Sequence, residues 1–213
     1  MKENEKKIYS QNGEDGIIEH IFKKIGTTNK IAVEFGVTAG GNGSQTNTRY
    51  LLEQGWTAYW FDIEKIDNIL PNCIFKVKFL TTKNIIETFK ESNIPNEFDL
   101  LSIDIDGNDY HIREALSEYN PRVCIMEYNG YYPPTVEYVM NYNESYRWKG
   151  KKDILFGASL LSYTKQANRL GYDLVYCDKN GVNAFFIRRD INVFPVLTAE
   201  ETYVKLYWTA EFK

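Results

Sequence analysis

The chain has 213 residues, 43% hydrophobic and 25% charged, with a formal net charge of −4, which suits one α/β domain with a substantial core. Lys and Arg are scattered, so there is no basic footprint for nucleic acid; no apolar run approaches the ~18 residues of a membrane span, and the opening MKENEKKIYS lacks an apolar signal core. The expectation is a cytoplasmic protein with a small-molecule partner, no nucleic acid and no membrane span.

Residues 1–7 are polar and are expected to fray. Ser10-Gln11-Asn12-Gly13-Glu14-Asp15-Gly16 reads as a polar turn, and Ile17, Ile18, Ile21, Phe22 and Ile25 follow at helical spacing as far as Gly26. Gln11, Glu14 and Asp15 are candidates to close over a ligand, whereas His20 reads as structural. Ile31-Ala32-Val33 is a strand buried on both faces that ends in Glu34 and breaks into a loop with Gly36, Gly40, Gly41 and Gly43. Glycine lets backbone approach a ligand closely. Ser44 or Thr46 is expected to cap a helix through Tyr50-Leu51-Leu52 that stops at Gly55. Strand, glycine loop and helix start form the crevice where open α/β sheets bind ligands, with Gly36, Gly40 and Thr46 on its rim. The glycines do not follow the G-x-G-x-x-G spacing of dinucleotide sites.

Thr57–Asp62 is a second strand ending in an acid, and Asp62 is placed to accept hydrogen bonds from a ribose, with Glu64 the alternative. Ile74–Phe79 reads as strand three. A helix over Asn84–Phe89, capped by Thr81-Thr82, follows, and Phe79 or Leu80 flanks the place of an adenine. Leu100, Leu101, Ile103 and Ile105 form strand four, which emerges into Asp104, Asp106, Asn108 and Asp109. Carboxylates so close repel one another unless a cation, a base or donors balance them. A turn at Asp106-Gly107, with Asn108 or Asp109 capping a helix to Leu116, accounts for all of these except Asp104.

Arg122–Glu127 is strand five, leading into Tyr128-Asn129-Gly130. Neighbouring strand ends carrying Asp104 and Glu127/Asn129 gather oxygen ligands suited to Mg²⁺, Mn²⁺ or Ca²⁺. Residues 130–157 lose periodicity and hold five Tyr and Pro133-Pro134, the composition of an aromatic lid that holds an acceptor. Ser159–Leu170 is an amphipathic helix. Tyr172–Cys177 and Ala184–Arg188 form a hairpin about Asp178-Lys179-Asn180-Gly181. The apolar tail 190–213 either packs back or makes a contact between copies, as in a homodimer. Cys73, Cys124 and Cys177 lie far apart in apolar runs and are expected to be buried thiols. Overall the pattern predicts a single α/β domain with a Rossmann-like, seven-stranded, mostly parallel sheet finishing in an antiparallel hairpin.

The motifs SQNGEDGII, VEFG with its glycine loop, SQTNT, GWTAYWFD, SIDIDGNDY, IMEYN, GASL and GVNAFFIRRD occur in this order over Ser10–Asp190. In this the chain resembles the FkbM-like branch of class I S-adenosylmethionine (SAM) dependent methyltransferases. The resemblance implies SAM as donor, with Glu34 and Gly36 at its methionine end and Asp62 on its ribose; Gln11 or Asp15 of the polar turn would then be the residues that close over this cofactor. It implies as acceptor a hydroxyl of a sugar or glycan precursor. By similarity to metal-dependent O-methyltransferases, Asp104, Glu127 and Asn129 would hold Mg²⁺ or Mn²⁺. Those enzymes carry a Lys three residues after the first metal Asp. Here that position is Gly107, which leaves Asp104, Asp106 and His111 as candidates for the proton chemistry. Two other readings fit some of the residues: a glycosyltransferase using Asp104-Ile105-Asp106 as a D-x-D motif, and a non-catalytic nucleotide-binding protein.

Overall fold

The fold is a computed structural model that describes residues 1–37, 43–67 and 69–206. Seven strands, β1 (Ile31–Phe35), β2 (Thr57–Asp62), β3 (Cys73–Val77), β4 (Leu100–Ile103), β5 (Val123–Glu127), β6 (Tyr172–Cys177) and β7 (Asn183–Arg188), form one sheet in the order β3-β2-β1-β4-β5-β7-β6. The first five are parallel, and β7 runs antiparallel to both β5 and β6. This is the predicted sheet.

Its parallel strands are apolar throughout because both faces are covered, and successive side chains serve opposite layers. Val33, Phe35, Phe61, Leu101 and Ile103 join Phe89, Ile112, Leu116 and Tyr163 in one core. Ala32, Trp60, Leu100, Val123 and Ile125 join Ile17, Ile18 and Ile21 in the other. Helices α1 (Glu14–Ile25) and α2 (Arg49–Glu53) therefore lie on one face. On the other lie α3 (Ile85–Glu91), α4 (Asp109–Ala115) and α5 (Leu160–Arg169). All three cysteines are free and buried, as expected.

Several local expectations are corrected. The first residues do not fray: Lys6 N donates to Gly13 O at 3.1 Å, Gly16 N donates to Lys6 O at 3.1 Å, and the Tyr176 hydroxyl donates to Glu5 at 2.8 Å. Helix α2 begins at Thr48 rather than at Ser44 or Thr46, since the Thr46 hydroxyl is turned to Gly43 O, 2.9 Å away. Strand β3 ends at Val77, two residues early, and as the sheet's edge it leaves Ile74 and Val77 exposed. Strand β4 stops at Ile103, so Ile105 belongs to the following turn. The tail packs back as far as it is described: Leu197 N donates to Leu174 O on the β6 edge at 2.9 Å, and α6 (Ala199–Thr202) carries a capping box between Thr198 and Glu201. The tail aromatics Tyr207, Trp208 and Phe212, like Gly40 and Gly41 of the glycine loop, lie outside the described residues.

Candidate functional site

The order of the strands reverses between β1 and β4, and the crevice beyond their carboxyl ends is the place where such sheets bind ligands. Gly36 stands at that point with φ +77°, and a Cβ there would meet Asp104 O at 1.6 Å. Its glycine is thus required by contact with the neighbouring strand end, a stricter demand than room for a ligand.

Glu34, buried at the end of β1, is committed to the loop. Its carboxylate accepts from Asn47 N (2.7 Å), Thr48 N (2.9 Å) and Thr48 Oγ1 (2.5 Å). Thr48 in turn accepts from Trp60 Nε1 at 2.7 Å. Glu34 therefore pins the far end of the glycine loop to the sheet. Burial, offset in part by the Thr48 hydrogen bond, pushes its carboxyl up to about 7. Asp62 ends β2 on the same edge, its Oδ1 accepting from Ile63 N (2.6 Å) and Glu64 N (3.1 Å), so the strand ends at Asp62 and Glu64 is exposed beyond it.

Three of the acids meet. Asp104, Asp109 and Glu127 each offer an oxygen within 4.8 Å of the others. Asp104 and Glu127 share a hydrogen bond, which two carboxyl groups can make only with a proton between them. Burial, followed by Asp106 and Asp109, raises Asp104 well above the usual carboxyl range; burial, followed by Asp104, does the same to Glu127. Asp109 is held by Ile105 N (2.8 Å) and Gly107 N (2.7 Å) and is raised by burial. Three crowded carboxyls whose ionised forms are penalised by one another are the donor set that a hard divalent cation would satisfy. The residues fit such an ion.

The expected third ligand does not join this set. Asn129 is fully buried and turned to the aromatic loop, its Nδ2 donating to Ile154 O (3.0 Å) and Phe156 O (2.8 Å) and its Oδ1 accepting from Tyr131 N (3.1 Å). Asp109 takes the place. Asp106 also stands apart from the three, with φ +57° at the bend, which leaves the D-x-D reading without a second ligand. Although Asp106 as a residue is exposed, burial around its carboxyl, followed by the charges of Asp109 and Asp62, pushes it up to about 6. His111 is tied to the aromatic loop through Nε2, 2.8 Å from Met140 O.

The aromatic loop seals the opposite wall. Tyr146 lies over Gly107, where a Cβ would come within 2.4 Å of the ring, so the position that a lysine would fill is closed by tyrosine. Asn143 and Asn108 exchange hydrogen bonds at 2.8 and 3.1 Å, and Arg147 sits 4.5 Å above the ring of Phe79. Phe79 is thus present at the rim, 39% exposed, with a guanidinium on one face. At the other end, Asp15 is buried beneath the 8–10 segment, Gln11 is exposed, and Thr46 is buried in the glycine loop.

Sheet order, hairpin and crevice define a Rossmann-like α/β fold with the strand arrangement of class I methyltransferases. No family model matches the chain, and no curated protein does. Among solved structures it is similar to the MycE methyltransferase from the mycinamycin biosynthetic pathway, in complex with Mg, SAH and mycinamycin VI. That likeness has a TM-score of 0.46 at 13% identity over 84% of this chain. The chain spans 50% of that protein's length.

Proposed function

We propose that the chain is a SAM-dependent O-methyltransferase of FkbM-like type acting on a hydroxyl of a sugar or glycan precursor. The observation that carries this reading is the single crevice in which a glycine bend, the strand-end acids Glu34 and Asp62, and the Asp104–Asp109–Glu127 cluster converge. The donor supplies an electrophilic methyl on a sulfonium, which is attacked in line by the acceptor oxygen; the O–CH₃ bond forms as the S–CH₃ bond breaks.

The chain's own task is placement and proton removal. Asp62 is positioned for the donor's ribose, and Phe79 for its adenine. Asp104, Asp109 and Glu127 would hold Mg²⁺ or Mn²⁺, whose Lewis acidity would lower the pKa of an acceptor hydroxyl. Asp106, raised to about 6 at the crevice mouth, is the carboxylate that receives the hydroxyl proton, since a base works best with a pKa near the working pH. The stacked rings of Tyr132 and Tyr138, 4.1 Å apart, offer a flat face beside the acceptor's entry. Closure of the aromatic loop keeps both reactants in one orientation.

Thermal denaturation with SAM, S-adenosylhomocysteine or UDP tests the class. Stabilisation by the two adenosyl compounds but not by UDP is expected; stabilisation by UDP alone would transfer the chain to the glycosyltransferases. Release of S-adenosylhomocysteine from a panel of sugar acceptors, lost with EDTA and restored by Mg²⁺ or Mn²⁺, tests the acceptor and metal.

A further inference from the structure

One buried acid at the start of α1 is only half used. Asp15, on the first turn of α1, is 2% exposed. Its Oδ2 accepts four hydrogen bonds, from Ile8 N, Tyr9 N and Ser10 N, each at 2.8 Å, and from Ser10 Oγ at 2.7 Å. Its Oδ1 is buried and accepts none. A buried carboxylate oxygen without a donor is costly unless something completes it.

Asp15 lies beside the glycine loop. The segment it organises is bound to that loop, with Ser10 bridging Gln45 and Gln45 N donating to Tyr9 O at 3.0 Å. Its charge also acts on Glu34, the acid at the loop's root. Glu34 itself is poorly suited to face a cation, because its oxygens are taken up by Asn47 and Thr48. A cationic ligand group entering this end of the crevice would find its acceptor on α1 and not on the strand that precedes the glycines.

We propose that Asp15 Oδ1 receives the α-ammonium group of the methyl donor, so that the N-terminal SQNGED segment, and not the acid of the glycine motif, supplies the counter-charge. This rests on the reading of the crevice as a SAM site. It makes the amino group a condition of tight binding.

Titration calorimetry on the intact protein with three probes tests it: S-adenosylhomocysteine, its analogue lacking only the α-amino group, and 5′-methylthioadenosine, which lacks the whole amino-acid part. The wild-type chain is expected to bind S-adenosylhomocysteine about tenfold or more tightly than the deaminated analogue, the loss that accompanies a broken charge-assisted hydrogen bond. Asp15→Asn is expected to bring those two affinities to within about threefold of each other and to leave 5′-methylthioadenosine binding unchanged. Equal wild-type affinities for the first two probes would overturn the assignment while leaving the SAM site standing; binding of none of the three would remove both. Should Asp15→Asn fail to fold, the wild-type comparison decides alone.

Discussion

Asp106 owes its place to its backbone. A φ of +57° at a non-glycine residue sets it at the bend after β4, outside the group of oxygens formed by Asp104, Asp109 and Glu127, and such strain tends to persist where surroundings enforce it. Asp106→Asn is expected to slow methyl transfer by about 10²- to 10⁴-fold, the usual worth of a general base, with S-adenosylhomocysteine binding unchanged by calorimetry. A rate within threefold of wild type would take the proton role away from Asp106. Gly36→Ala has the opposite profile. A Cβ that would lie 1.6 Å from Asp104 O, at φ +77°, forces β1 and β4 apart and is expected to cost roughly 3 kcal/mol or more of stability by chemical denaturation. At this scale the sequence was half legible. Asp104 and Glu127 announced themselves as acids at the ends of apolar runs. Asp109 did not, because as a helix-start residue it has an ordinary capping explanation, and its second role depends on where α4 meets the sheet. Asn129 misled for the converse reason: its position after β5 was right, but its side chain is consumed by Ile154 and Phe156 carbonyls far along the loop.

The elements were read more easily than their ends. Apolar runs, the Asp178–Gly181 turn and the helical spacing after Ser159 each encode one local preference, and the sheet and the Ser159 cap match them. Starts that depend on tertiary partners were not visible: Thr48 stands before α2 without capping it through its side chain, since its hydroxyl is bound to Glu34 and Trp60. Residues 130–157 show how an irregular segment can be ordered without repeating structure. Asn129, Asn108, His111 and Phe79 each hold it at a separate point. Asn108→Ala removes two of these links and is expected to reduce stability by about 1–2 kcal/mol. It should hasten proteolysis after Arg147 or Lys149 more than elsewhere in the chain, as read by mass spectrometry of early fragments. Unchanged cleavage would show that the loop's other attachments suffice.

Across the molecule, several buried acids among the described residues are raised by burial, Glu34, Asp109, Glu127 and Asp178 among them. Glu34 and Asp178, each pushed up to about 7 chiefly by burial, and Asp106 at about 6, bind protons in the folded chain at pH values where the unfolded chain has released them. Stability in the absence of metal is therefore fullest below the ordinary carboxyl range near pH 4 and is lost as pH rises through 6 and 7. The melting temperature without added metal is expected to be several degrees higher at pH 5 than at pH 8, and Mg²⁺ or Mn²⁺ should recover more at pH 8, where fewer protons compete for the clustered carboxyls. A metal-free profile that rises from pH 5 to 8 would contradict this balance. The clasp between Glu5 and the β6–β7 turn carries a practical corollary. Residues 8–10 fold over Asp15 and join the glycine loop at Gln45, so if the proposed donor site is correct, trimming residues 1–10 is expected to leave every strand in place and a cooperative melt intact, while removing the response to adenosyl compounds.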